Sequence, residues 1–140
     1  MKRDLHFDVF YPHPIERVWA AVTDSRTMAE WLMPNDFEPR VGHRFTFTTQ
    51  PQPGFDGIVH CEVRELIPPE RLVFSWAGGG IQTMLTIKLE PATGGTRLLL
   101  DQTGFEGVRA IAVSYILGNG WPGILNRKLA ELLSRKALEV

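Results

Sequence analysis

The stretch VRAIAVSYILGNGWPGILNRKLAELLSR, residues 108–135, decides how this chain folds. It reads as one long helix. On a period of 3.6 residues, Ile111, Tyr115, Gly118, Pro122, Leu125, Leu129, Leu132 and Leu133 fall on one apolar stripe. Arg127, Lys128, Glu131, Arg135 and Lys136 fall mostly elsewhere, as a solvated flank should. Such a helix is about 40 Å long at 1.5 Å per residue, a length suited to lying across a curved sheet. Its middle is unusual, because Gly118, Gly120, Pro122 and Gly123 crowd together there. An interior Pro costs about 3 kcal/mol and its ring clashes with the carbonyl four residues back. Two readings are open: the helix kinks at Pro122, or it breaks and a second helix starts with Pro122 at its first position. In either case Gly118 leaves room beneath the helix, beside Tyr115 and Trp121.

Upstream of that helix the pattern changes to alternation. Leu5, Phe7, Val9 and Tyr11 face one way and His6, Asp8 and Phe10 the other, which predicts a strand ended by Pro12 and Pro14. Ile15–Val22 predicts a short helix, with Ile15, Val18, Trp19 and Val22 at helical spacing. A second runs from Arg26 to Leu32, capped by Asp24 or Ser25 and carrying Met28 and Trp31. Strands are expected over Arg44–Thr49, Ile58–Leu66, Arg71–Ala77, Gln82–Glu90 and Thr96–Thr103. They are joined by Pro- and Gly-rich connections, among them Pro51–Gly57, Pro68-Pro69-Glu70, Gly78-Gly79-Gly80 and Pro91–Gly95. Short connections argue for an antiparallel sheet, and strands followed by a helix argue for an α+β fold.

At 140 residues the whole chain, 1–140, is expected to be one domain. With 44% hydrophobic and 22% charged residues it reads as an ordinary globular protein. A net charge of −1 gives no electrostatic case for nucleic acid. The single cysteine, Cys61, leaves no partner for an internal disulfide and suggests a reducing compartment. No apolar run suits a signal peptide or a membrane span, so a cytoplasmic location is expected.

Taken in order, these landmarks resemble the SRPBCC superfamily, whose helix-grip fold is shared by START domains and the birch pollen allergen. More narrowly they resemble the bacterial family named after the activator of heat-shock-protein-90 ATPase homologue. The residues that carry the resemblance are the opening strand, Pro14-x-x-x-Val18-Trp19, Trp31 and Phe37-Glu38-Pro39-Arg40-Val41-Gly42. To these add Val63-x-Glu65-Leu66-x-Pro68-Pro69-Glu70-Arg71-Leu72-Val73-Phe74-Ser75-Trp76, Gly95-Thr96-Arg97-Leu98, and Gly120-Trp121 with Leu125 and Leu129. The chain departs from the pattern at Gln102, where relatives often carry His, and at Cys61, where many carry Gly. Val108–Leu117 is also more apolar than the usual charged helix start.

The resemblance implies a curved antiparallel sheet of about six strands, with two short N-terminal helices, wrapped on a long C-terminal helix around a cavity. It implies a hydrophobic small molecule as ligand: a lipid, a polyketide or an aromatic metabolite. The candidate pocket residues are Trp31, Phe45, Phe47, Cys61, Phe74, Trp76, Met84, Thr86, Gln102, Tyr115, Gly118, Trp121 and Leu125. A dry void of roughly 300 Å³ costs about 7 kcal/mol, a large part of a total stability of about 5–15 kcal/mol. The space must therefore be filled by side chains, open to water, or occupied by a ligand.

Catalytic signals are weak. His6, His13, His43 and His60 are scattered and form no H-x-x-x-H pair, so no metal site and no cofactor are expected. A cofactor-independent cyclase or hydrolase would need His60, Tyr115 or Asp101 to face the cavity. A co-chaperone or other interaction module, with a protein partner, would need an exposed apolar patch and no cavity. Glu65 and Arg71 are expected to pair across the Pro68-Pro69 turn, and Asp101 to point outward.

Overall fold

The computed structural model describes residues 2–135; Met1 and Lys136 lie outside the described residues. Strand β1, Lys2–Tyr11, is followed by helices α1, Ile15–Val22, and α2, Ser25–Trp31. Five strands come next: β2 Arg44–Thr48, β3 Ile58–Ile67, β4 Arg71–Gly78, β5 Ile81–Ala92 and β6 Gly95–Glu106. Helix α3, Val108–Gly123, passes into a π-helical segment, Ile124–Leu129, and then into α4, Ala130–Leu133. The strands form one antiparallel sheet in the order β1-β6-β5-β4-β3-β2. Register shifts in β1 between Arg3 and Leu5, and in β3 between Val63 and Glu65, add the local bend that bulges give a sheet. This is the α+β helix-grip architecture expected from the alternation and the closing helix.

Alternation along the strands sorts residues between two faces. On β5, Ile81, Thr83, Leu85, Ile87 and Leu89 are buried against the helix, whereas Gln82 and Lys88 are exposed. Cross-strand pairing aligns Val63, Phe74, Leu85, Gln102 and Leu5 as one inward row running nearly edge to edge. The opposite, convex face carries polar pairs: His6 hydrogen-bonded to Asp101, and the ion pairs Asp8 with Arg97 and Lys88 with Glu90. Asp101 thus points outward, and Glu65 meets Arg71 at 3.3 Å across the β3–β4 turn, both as expected.

The N-terminal helices close one end of the core. Asp24 caps α2 by accepting a hydrogen bond from the Arg26 backbone N–H at 3.1 Å. Trp31 is fully buried and its indole donates to the Ala21 carbonyl at 3.0 Å, tying α2 to α1.

The C-terminal helix does not restart at Pro122. Helical backbone runs through Pro122, and the change of register comes two residues later, in the π segment. Pro122 has no N–H to give the Gly118 carbonyl, so the ladder is already weakened there. Within the π segment the Leu125 carbonyl accepts a 2.7 Å hydrogen bond from the buried Tyr11 hydroxyl. The wider turn also changes which residues face the sheet. Trp121, Leu125, Leu129 and Leu133 are buried at intervals of four. Upstream, the buried positions are Ala110 and Ser114, with Leu117 half-buried, one residue earlier than the expected Ile111, Tyr115 and Gly118.

Candidate functional site

A cavity of about 380 Å³ opens at the end of the grip nearest the start of α3. One wall is helical: Arg109, Val113, Ile116 and Leu117 recur at the spacing that places side chains on one face. The facing wall comes from the β2–β3 connection (Thr49, Gln50, Gln52, Pro53, Phe55), with Val59 of β3 and Gly78–Gly79 at the β4–β5 turn. Trp76, Ile81 and Met33 complete it. The lining is mainly apolar, with hydroxyl and amide groups on the loop side and a guanidinium on the helix side. A few polar groups in an apolar setting are what orient a bound small molecule.

Trp76 forms the boundary between cavity and core. Its ring lies 5.6 Å from Phe47 and 5.9 Å from Trp121. Behind it, Phe37, Phe45, Phe47 and Phe74 pack edge to face or tilted, with centroid separations of 5.2–6.0 Å. Among the described residues these rings pack against one another behind Trp76, and the cavity lies beyond them at the end of the grip.

This arrangement separates the expected pocket residues. Of them, Trp76 lines the cavity. Trp31, Phe45, Phe47, Cys61, Phe74, Gln102, Trp121 and Leu125 are buried in the core outside its lining. Met84 and Thr86 belong to the convex face, because Thr83, Leu85 and Ile87 take the inward positions of β5. Tyr115 is 58% exposed and stacks under the Arg3 guanidinium, 3.9 Å from the ring centroid. A Cβ at Gly118 would meet the Leu5 side chain at 3.5 Å, so the room expected beneath the helix is taken by β1. Tyr115 and Gly118 instead border a separate surface hollow of about 290 Å³ with Arg3, Asp4 and His6.

The cavity residues that the sequence reading missed are Met33, Phe55, Val59, Ile81, Val113 and Leu117 with the rim around them. The signal that could have found them is the apolar start of the long helix. Val108–Leu117 carries one charge, at Arg109, where a solvated surface helix would carry more.

Arg109 holds the two loops of the facing wall. Its Nε donates to the Gly79 carbonyl and its Nη2 to the Gly54 carbonyl, each at 2.6 Å. Gly54 and Gly80 have φ of +80° and +85°, and Cβ atoms there would lie 2.4 Å from Nη2 and 3.1 Å from Nε. Glycine is required at these positions both for the backbone turn and for the approach of the guanidinium.

The comparisons with known proteins agree with this geometry. The family model for Activator of Hsp90 ATPase homolog 1-like protein matches residues 12–134. The chain belongs to this family. Among solved structures, MLL2253 from Mesorhizobium loti is 32% identical, with a TM-score of 0.84 over 96% of this chain and 98% of that one. BH1534 from Bacillus halodurans is 26% identical, with a TM-score of 0.78 over 96% of this chain and 100% of that one. DynU16, a protein of the dynemicin biosynthetic locus, is 25% identical, with a TM-score of 0.75 over 93% of this chain and 46% of that one. No curated protein matches the chain. Membership of the Activator of Hsp90 ATPase homolog 1-like family places the chain in a fold of the ligand-binding type.

The titratable groups of this family member give the cavity little reactive chemistry. Burial, and secondarily the charge of Asp36, pushes the Cys61 thiol up, away from the nucleophilic thiolate. His60 is exposed, Tyr115 lies on the outer side of α3 and Asp101 is on the convex face, so none of the three faces the cavity. Among the described residues no cluster of His, Cys, Asp or Glu could hold a metal ion. Among them also, no helix is long and apolar enough to cross a membrane.

Proposed function

We propose that this protein binds an apolar small molecule, a lipid, polyketide or aromatic metabolite, in the cavity between the first half of α3 and the β2–β3 and β4–β5 connections. The observation that carries the reading is the cavity itself: about 380 Å³, within the usual range for ligand sites, lined mainly by Phe55, Val59, Trp76, Ile81, Val113 and Leu117. Burying a ligand's apolar surface there is worth about 25 cal/mol per Å² before the costs of association. DynU16, a protein of the dynemicin biosynthetic locus, shares this fold and supports the ligand class at that level.

The binding role is favoured over an interaction module because that module requires no cavity, and one of about 380 Å³ opens at the end of the grip. It is favoured over catalysis because the groups a reaction would need point elsewhere. The test is calorimetric titration with medium-chain fatty alcohols, flavonoids and polyketide-like aromatics, on the wild type and on Leu117→Trp. Saturable binding that is lost in Leu117→Trp, with the melting temperature kept, supports the reading. Binding undiminished by Leu117→Trp would place the ligand elsewhere, and no binding to any of the panel would refute it.

A further inference from the structure

Resting on that pocket reading, we propose that the ligand carries one anionic group, a carboxylate or an acidic phenolate or enolate, and that Arg109 receives it at the mouth of the cavity.

Four observations support this. First, among the described residues Arg109 is the one charged residue in the cavity lining. Phe55, Val59, Trp76, Ile81, Val113 and Leu117 can hold only apolar matter, and Thr49, Gln50 and Gln52 offer neutral dipoles. Among the described residues no Asp or Glu lines the space to repel an anion.

Second, the charge of Arg109 is not neutralised. Among the described residues its hydrogen bonds go to the backbone carbonyls of Gly79 and Gly54, and none of the ion pairs includes it. The other cations near the sheet, such as Arg97 and Arg71, have carboxylates beside them. Arg109 is exposed at the mouth, and an unpaired cation there draws anions toward the cavity.

Third, donors are left over. Nε and one hydrogen of Nη2 are committed to the carbonyls. The Nη1 hydrogens and the second Nη2 hydrogen have no protein acceptor among the described residues. The Nη1–Nη2 edge of a guanidinium matches the two oxygens of a carboxylate.

Fourth, the guanidinium is held in place before any ligand arrives. Gly54 and Gly80, at positive φ, let the loops close onto it, and the two short carbonyl contacts fix its plane. A preorganised donor loses less freedom on binding than a mobile surface side chain.

The competing role for Arg109 is that of a staple joining two loops, with no contact to the ligand. Decanoate and decan-1-ol separate the two, because they share one chain and differ at the head. Titration at pH 8 and low ionic strength should show decanoate binding the wild type at least fivefold more tightly than decanol. In Arg109→Gln the preference for decanoate over decanol should fall to about one, whatever loss the two probes share from the loosened loops. Arg109→Lys should restore part of the preference for decanoate. Equal affinities for the two probes in the wild type would overturn the proposal and leave the pocket standing. An equal loss of both probes in Arg109→Gln would make Arg109 a staple only and would also overturn it. Failure of decanol as well as decanoate to bind the wild type would refute the pocket and the anion site together.

Discussion

The indole N–H of Trp121 donates to Oε1 of Gln102 at 3.0 Å, and both residues are buried. The amide Nε2 of Gln102 in turn donates to the Thr83 hydroxyl at 3.1 Å, and that hydroxyl donates to the Trp76 carbonyl at 3.0 Å. The indole nitrogen, the amide nitrogen and the hydroxyl each have an acceptor, and the orientation of the amide is fixed by having its oxygen toward Trp121 and its nitrogen toward Thr83. Gln102 stands in the inward row between Leu85 and Leu5, where an unpaired amide would be costly. The relay locks the long helix onto the sheet and sets the ring of Trp121 against Trp76, behind the cavity.

Gln102→Leu should therefore destabilise the protein by about 1–3 kcal/mol, the cost of leaving the buried indole N–H without an acceptor. The same substitution in a Trp121→Phe background should cost much less, because no indole donor remains. Equilibrium denaturation of the four variants of the cycle measures the coupling. Additive losses would mean that the two residues act independently.

Trp121→Ala removes a fully buried ring outside the cavity lining. The expected loss is about 3–5 kcal/mol, read from the shift in denaturation midpoint at constant slope. A loss below 1 kcal/mol would show that the ring borders open space instead.

Tyr115→Ala tests the opposite placement. The ring is on the outer side of α3 with the Arg3 guanidinium over it, an exposed contact worth about 0.5–1 kcal/mol. Stability should fall by no more than about 1 kcal/mol, and binding of an apolar probe should be unchanged. A marked loss of affinity would bring Tyr115 back to the ligand.

Cys61 should resist labelling. Burial raises its thiol's ionisation above the ordinary cysteine range, and the charge of Asp36 adds to this. A disulfide reagent at neutral pH should react slowly with the native protein and take up one thiol on unfolding. Rapid labelling of the folded protein would contradict the burial of this residue.

Asp8 reports the electrostatics of the convex face. Its hydrogen bond to Arg97 is the largest cause holding its carboxyl below the ordinary aspartate value. A lowered folded-state value contributes stability that is present above the unfolded-state pKa and is lost as pH falls through the folded one. Carbon-detected NMR titration should place the midpoint below that of a free aspartate, and Arg97→Ala should raise it. An unmoved midpoint in Arg97→Ala would remove the ion pair as the cause.

The sequence was most informative where its period is simple. The two-residue alternation of β1 and β5 and the bounds of α1 follow from side chains that have only two faces to choose between. Leu125, Leu129, Leu132 and Leu133 were placed on the buried side by the helical period alone. The first half of the long helix was misplaced by one residue because a constant 3.6-residue period cannot carry phase across a π segment. That shift puts Tyr115 on the sheet side in place of Ser114. Met84 and Thr86, read as pocket candidates, lie on the other face of β5, whose alternation gives two faces without saying which is concave. The cavity escaped because its facing wall comes from the β2–β3 connection and the β4–β5 turn. The positions of such loops depend on tertiary contacts such as Arg109 with Gly54 and Gly79, which have no periodic trace in the chain.

The most direct test of the account is a proton–nitrogen correlation titration with decan-1-ol, following backbone and indole signals together. A ligand in the cavity should give saturable shifts centred on Phe55, Val59, Trp76, Ile81, Val113 and Leu117, with Phe45, Leu125 and Leu129 little changed. Shifts centred on the buried ring cluster or on the convex face would contradict this placement of the site. A spectrum unchanged up to the solubility limit of the alcohol would contradict the binding role itself.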